Sequence, residues 1–193
     1  MRVLVACEFS GIVREAFKRL GHEAMSCDLL NTEIPGNHYK GDVRNILDGD
    51  WDLLIAHPPC THLAVSGARW FKDKMEEQEE ALFFVAELMD APIPRTAIEN
   101  PIGVISTNIR KPDQIIQPWQ FGDPFQKSTC LWLRGLPELL PTKVVDKGKM
   151  QVCKSGKTLP EWYSNNKKLR SRTFPGIANA MAEQWATVER HEQ

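Results

Sequence analysis

Arg2-Val3-Leu4-Val5-Ala6-Cys7-Glu8-Phe9-Ser10-Gly11 (residues 2–11) is the stretch from which the rest of the chain is read. Residues 2–7 form a short apolar run ending at a polar turn, the pattern of a buried strand. Ser10 is placed to cap a helix. Its apolar positions 12, 13, 16, 17 and 20 recur at helical spacing, and Gly21 stops it. Outward from there, Glu23–Cys27 reads as a second strand ending at Asp28. Past Pro35 and Gly36, a third strand near His38–Lys40 leads to Gly41-Asp42. Asp52–Ala56 reads as a fourth strand, Lys72–Asp90 as a long helix, and Thr96–Ile98 as a fifth strand ending in Glu99-Asn100-Pro101. This succession predicts an α/β fold: a Rossmann-like, doubly wound, mostly parallel sheet with helices on both faces. Ile115–Trp119 and Ser128–Leu133 read as two further strands joined by a tight connection at Gly122-Asp123-Pro124, forming an antiparallel edge hairpin. Trp119, Trp132 and Trp185 are expected in the core.

The chain has 193 residues, 42% hydrophobic and 25% charged. That excludes a disordered segment and a disulfide miniprotein and predicts one domain over 1–193. No run approaches the ~20 apolar residues of a spanning helix. The apolar stretch before Cys7-Glu8 is too short for a signal core. Cysteines 7, 27, 60, 130 and 153 are odd in number and contain no CxxC. Free thiols, a cytoplasmic setting, no membrane and no metal are the expectation. Between Pro141 and Thr173, nine Lys and Arg face two acids, a charge of +7. The rest of the chain, with 15 basic and 23 acidic residues, carries −8. A basic insertion over about 141–170 on an acidic body points to a polyanion contact, against the plainer reading of a solvated loop. A closing helix is expected at about 177–188.

In an open parallel sheet, ligands bind beyond the carboxyl ends of the strands. Those ends here carry Glu8-Phe9-Ser10-Gly11, Asp28, Asp42, His57-Pro58-Pro59-Cys60-Thr61-His62 and Glu99-Asn100-Pro101. Asp28 lies 17 residues past Gly11, suited to a ribose diol. A single glycine in place of GxGxxG favours a cofactor without phosphates, such as S-adenosylmethionine, over a nicotinamide dinucleotide. Two prolines hold Cys60 at a stiff turn, a setting for a nucleophile if its pKa is lowered. His57 and His62 flank it with a spacing that fits neither a helical pair nor a zinc site. Glu99, 39 residues on, shares a pocket with Cys60 if strands four and five are neighbours.

Phe9-Ser10-Gly11, Asp28, Gly41-Asp42, Pro58-Pro59-Cys60 and Glu99-Asn100-Pro101, in this order, resemble the DNA cytosine-5 methyltransferases over about residues 2–135. The tail from Phe174 to Asn179 is a weaker echo. The resemblance implies a class I methyltransferase-like fold. It assigns Phe9, Ser10, Gly11, Asp28, Asp42 and Pro58 to S-adenosylmethionine, Cys60 as nucleophile at carbon 6, and Glu99 as the acid assisting at N3. Departures are Val13 for a glycine, and Ser128 and Cys130, after Gln126-Lys127, where the family carries two arginines. The large target-recognition domain is replaced by the short basic segment containing Trp162 and Tyr163.

An acid that donates at N3 needs a raised pKa, so Glu99 is expected in a poorly hydrated pocket. Residues 61–71 suit a closing loop, with Ser66-Gly67-Ala68 as hinge, Arg69 for phosphate, and Trp70 for stacking; Phe71 reads as core. Lys127, Lys167, Lys168, Arg170 and Arg172 complete the expected DNA contacts. So short a segment implies relaxed specificity, or a homodimer or protein partner supplying recognition. Competing readings are the same chemistry on a free cytosine nucleotide or RNA, and a non-catalytic nucleic-acid-binding relative.

Overall fold

The computed structural model of the protein describes residues 1–64, 75–152, 156, 158–160 and 170–187. The expectations for Ser66 to Phe71, Trp162, Tyr163, Lys167 and Lys168 lie outside the described residues.

The strands are β1 (Arg2–Ala6), β2 (Glu23–Asp28), β3 (His38–Lys40), β4 (Leu53–Ala56), β5 (Arg95–Pro101), β6 (Gln114–Ile116) and β7 (Thr129–Arg134). They form one seven-stranded sheet in the order β3-β2-β1-β4-β5-β7-β6. β1 to β5 are parallel, and β7 runs antiparallel to both β5 and β6. This is a Rossmann-like, mostly parallel sheet with an antiparallel pair at one edge. The centre explains the apolar runs: Val3 to Ala6 and all of β4 are buried, because a parallel sheet is covered on both faces.

One face is covered by α1 (Ile12–Arg19) and the C-terminal helix, the other by α2 (Met75–Asp90) and the short α3 (Ile105–Asn108). The C-terminal helix, α4, spans Pro175–Trp185. Phe17, Met181 and Trp185 pack on the first face, and Leu88, Ile98 and Trp132 on the second. Trp185 donates its indole N–H to the Pro137 carbonyl (3.0 Å), and Trp132 to that of Arg110 (2.8 Å). Among the described residues no helix is long and apolar enough to cross a membrane.

Three expectations change, and one element is added. The β6–β7 connection is not tight: it spans residues 117–128 and contains a 3-10 turn, because Pro118 and the Gln117–Gln120 capping pair favour a turn over strand continuation. Trp119 is only half-buried, and the Lys147 ammonium lies 5.0 Å above its ring. The basic segment contains a hairpin, β8 (Met150–Val152) with β9 (Thr158–Pro160), turned near Gly156. Ser10 is not the helix cap: Gly11 takes that place with φ of +77°, a conformation suited to glycine.

The cap is supplied instead by the buried Glu8. Its carboxylate accepts from Val13 N (2.7 Å), Arg14 N (3.3 Å) and Ser10 Oγ (3.1 Å), neutralising the positive end of α1. The fully buried Arg14 projects the other way. Its guanidinium donates to Glu15 (3.0 Å), Ser26 Oγ (2.8 Å), Thr32 Oγ1 (3.2 Å) and the Ile34 carbonyl. Gly11 and Gly36 crowd it so closely that a Cβ at either would lie under 3 Å from Nη2. Arg14 therefore pins the loop after β2 onto α1.

Replacing Arg14 by Met keeps the stem and deletes every donor. The variant is expected to lose about 3 kcal/mol, the cost of orphaning a buried polar cluster. It should show as a lower urea midpoint at unchanged m-value; an unchanged midpoint would refute the role given to Arg14.

Candidate active site

The β4–β5 register runs from Leu53↔Arg95 to Ala56↔Ile98. One step further, His57 meets Glu99, and His57 Nδ1 lies 3.2 Å from Glu99 Oε2. One step beyond that, the buried Asn100 donates its side-chain amide to the Pro58 carbonyl (2.7 Å), locking the Pro-Pro turn. Cys60 follows and is exposed, unlike the buried Cys27 and Cys130. Its carbonyl accepts from Leu63 N (3.1 Å) and Ala64 N (3.0 Å), closing a tight turn. That turn is held by Val104 N on the Leu63 carbonyl (2.9 Å) and by Gln78 on the His62 carbonyl (2.9 Å). At Gly103 a Cβ would lie 2.0 Å from the Leu63 carbonyl oxygen, so only glycine permits this approach.

The electrostatics tie these residues into one cluster. Burial pushes the Cys60 thiol above its ordinary pKa and the Glu99 charge adds to this, while Lys127 and Arg170 pull it down. Glu99 departs from expectation. Burial alone raises its pKa. The His57 hydrogen bond, the charges of Lys127 and His57, and the Thr129 hydroxyl together outweigh burial, so the carboxyl sits below its usual range. It is held ionised by donors that lie on two neighbouring strands and that spacing in the sequence does not reveal. Lys127 is fixed from behind. Its N–H donates to Gln117 Oε1 (2.9 Å) and its ammonium to the Arg170 carbonyl (3.3 Å), 5.9 Å from the Phe174 ring. Arg172 is turned away into an ion pair with Glu33 (2.9 Å).

Beside this cluster lies a cavity of about 200 Å³, lined by Cys7, Asp28, Asp42, Arg44, Pro59 and Phe84 among others. Pro59 forms its wall and Cys60 follows directly. Asp28 accepts from Leu30 N through Oδ1 (2.9 Å) and lines the cavity. Asp42 lines the cavity, but Arg44 engages both its oxygens, through N (3.0 Å) and Nη1 (3.3 Å). Cys7 is the one non-glycine residue with positive φ (+57°) among the described residues, a local strain of order 1–3 kcal/mol at the cavity edge. Phe9, Ser10, Gly11 and Pro58 are not among the lining residues; they shape the turns behind it. Phe84 and Arg44, which reach the cavity from α2 and from the turn after β3, carry no motif that marks them in the sequence.

The Glu8 carboxylate occupies the N-terminus of α1, where a dinucleotide pyrophosphate would otherwise bind. The residues present thus fit a nucleoside without phosphates. The volume, about 200 Å³, lies below the ~300–1,000 Å³ of drug-sized ligand sites. A second cavity of about 360 Å³ lies at the opposite end of β5 and β7. Arg134 lines it but is spent on the carbonyls of Met89, Ala91 and Ile93. No group of three or more potential metal ligands occurs among the described residues.

No protein-family model and no curated protein sequence matches the chain. Among solved structures it is similar to a protein assigned as a DNA modification methyltransferase encoded within a prophage (E. coli). The identity is 14% and the TM-score 0.47, over 76% of this chain and 52% of that one. It is also similar to the 16S rRNA methylase RmtB, at 15% identity and a TM-score of 0.37, over 68% of this chain and 54% of that one. The chain thus spans about half the length of the solved structures it matches. At these values the likeness assigns no activity.

Because the Glu99 charge raises the Cys60 pKa, Glu99→Gln should increase the thiolate fraction at pH 8. Iodoacetamide labelling of Cys60, followed by peptide mass spectrometry, should speed up. Lys127→Met should slow it. Unchanged rates in both variants would separate these groups from the thiol.

Proposed function

We propose that this chain transfers a methyl group from S-adenosylmethionine to carbon 5 of cytosine in DNA. The observation that carries the reading is the exposed Cys60 thiol beside the Glu99 carboxyl, one residue past the proline that walls the Asp28 cavity. In this reading Asp28 holds the ribose, and Phe84 and Leu29 flank the adenine. S-adenosylmethionine supplies an electrophilic methyl group when bound.

Carbon 5 of cytosine is a poor nucleophile. The Cys60 thiolate attacks carbon 6, a C–S bond forms, and the C5–C6 π pair makes carbon 5 nucleophilic. Negative charge builds on the ring. Lys127, whose charge already acts on both Cys60 and Glu99, offsets that charge, and Glu99 handles the proton at N3. Once carbon 5 has formed its bond to the methyl group, loss of the carbon 5 proton expels the Cys60 sulfur and restores the ring. A duplex cytosine reaches this turn only by flipping, at a few kcal/mol. Arg170 and Lys127 stand at the site to meet the strand. Arg172, committed to Glu33, serves the loop after β2 instead. Arg69, Lys167 and Lys168 supply further phosphate contacts in this proposal, and a homodimer or partner completes target recognition.

Incubation with methyl-labelled S-adenosylmethionine and duplex DNA, then digestion to nucleosides, should yield labelled 5-methyldeoxycytidine. Cys60→Ala should reduce it to background. Asp28→Ala should raise KM for the methyl donor about ten- to a hundred-fold, the loss of a charge-assisted hydrogen bond of roughly 1.5–3 kcal/mol. Label only in RNA or free nucleotide would move the substrate, and label on adenine would overturn the chemistry.

A further inference from the structure

Among the described residues, Arg44 is the one basic side chain that lines the Asp28 cavity. Its place is set by the backbone: Asp42 Oδ1 accepts from Arg44 N (3.0 Å) and caps the 3-10 turn Val43–Ile46. From there the guanidinium joins two elements. Nη1 donates to Asp42 Oδ2 (3.3 Å), while Nε (3.0 Å) and Nη2 (2.7 Å) both donate to Glu87 Oε2 on α2. Its carbon lies 4.6 Å from the centroid of the Phe84 ring, one turn back on the same helix. Asp42 and Phe84 line the cavity, whereas Glu87 is not among the lining residues. Fold stability does not account for this network. The Arg44 side chain is 44% exposed and that of Glu87 31%, and ion pairs at such exposure contribute little to stability. The consequence falls on the cavity. A carboxylate on a turn and a half-buried ring lose rotamer freedom when a ligand seats against them, and that loss weakens binding. Arg44 removes the freedom beforehand, with two bonds on the Asp42 carboxylate and a flat cation over Phe84.

We propose that Arg44 is the positioning residue of this cavity. It holds Asp42 and Phe84 in the arrangement that receives the adenosyl group, and Glu87 acts on the ligand only through Arg44. This inference rests on the S-adenosylmethionine part of the reading above and is independent of the cytosine chemistry.

The test is calorimetric titration of the whole chain with S-adenosylhomocysteine and with adenosine. Arg44→Met keeps the stem and removes the cation. It should raise Kd for S-adenosylhomocysteine about tenfold, the scale of freeing two side chains at a site. Adenosine should show the same ratio, since Phe84 flanks the base in the reading above. Arg44→Lys keeps a charge without the planar fork, so its Kd should fall between those of the wild type and Arg44→Met. Glu87→Gln should weaken binding when Arg44 is present and have no effect in the Arg44→Met background, the mark of two residues acting as one unit. Urea midpoints should stay at the wild-type value. An unchanged Kd in Arg44→Met overturns the proposal. So does a Glu87→Gln loss that persists in full without Arg44, or weakened binding that appears only with a lowered urea midpoint. A wild type that binds neither S-adenosylhomocysteine nor adenosine instead removes the cofactor reading, and this inference with it.

Discussion

The parallel pairing of β4 with β5 is the constraint on which the site depends. Parallel strands end on the same side, so a register that sets Ala56 against Ile98 delivers His57 to Glu99 and Pro58 to Asn100. The Asn100 amide on the Pro58 carbonyl then fixes the direction in which the chain leaves the strand. Proline at 58 and 59 removes two donors from that turn, so the turn depends on this side chain and on the Leu63 and Ala64 amides. An exposed thiol is thereby held beside a buried carboxylate without belonging to the same element.

The charges around that pair oppose one another. Glu99 raises the Cys60 pKa while Lys127 and Arg170 lower it, and Lys127 with His57 keeps Glu99 ionised against its own burial. A ligand seated between them would displace water and shift each of these balances at once. The second anionic group, Glu8, acts in the opposite sense: satisfied by three donors, it seals the helix terminus and leaves Asp28 and Asp42 as the carboxylates that line the cavity.

Much of this was legible in the sequence, for identifiable reasons. Buried strands such as Val3–Ala6 and Leu53–Ala56 are read from unbroken apolar runs, and α1 from its helical spacing closed by Gly21. Cys60, Glu99 and Asp28 stand at strand ends, where position alone marks them. His57 did not stand out, because its partner is 42 positions away and the pairing exists only through sheet register. The same holds for Arg14, whose contacts reach to Ile34, and for Glu8, whose capping role displaced Ser10. The protonation of Glu99 was misread because burial was weighed without the donors supplied by β4 and β7. The β8–β9 hairpin escaped notice because three-residue strands in a basic segment show no alternation long enough to detect.

The most direct measurement is the mass of the protein after incubation with S-adenosylmethionine and a duplex containing 5-fluorocytosine, whose fluorine cannot leave as a proton does. The account predicts a stable protein–DNA adduct, with the modified pyrimidine mapped by peptide sequencing to Cys60. An adduct carried by another residue, or none while methyl groups still appear on cytosine carbon 5, would contradict it.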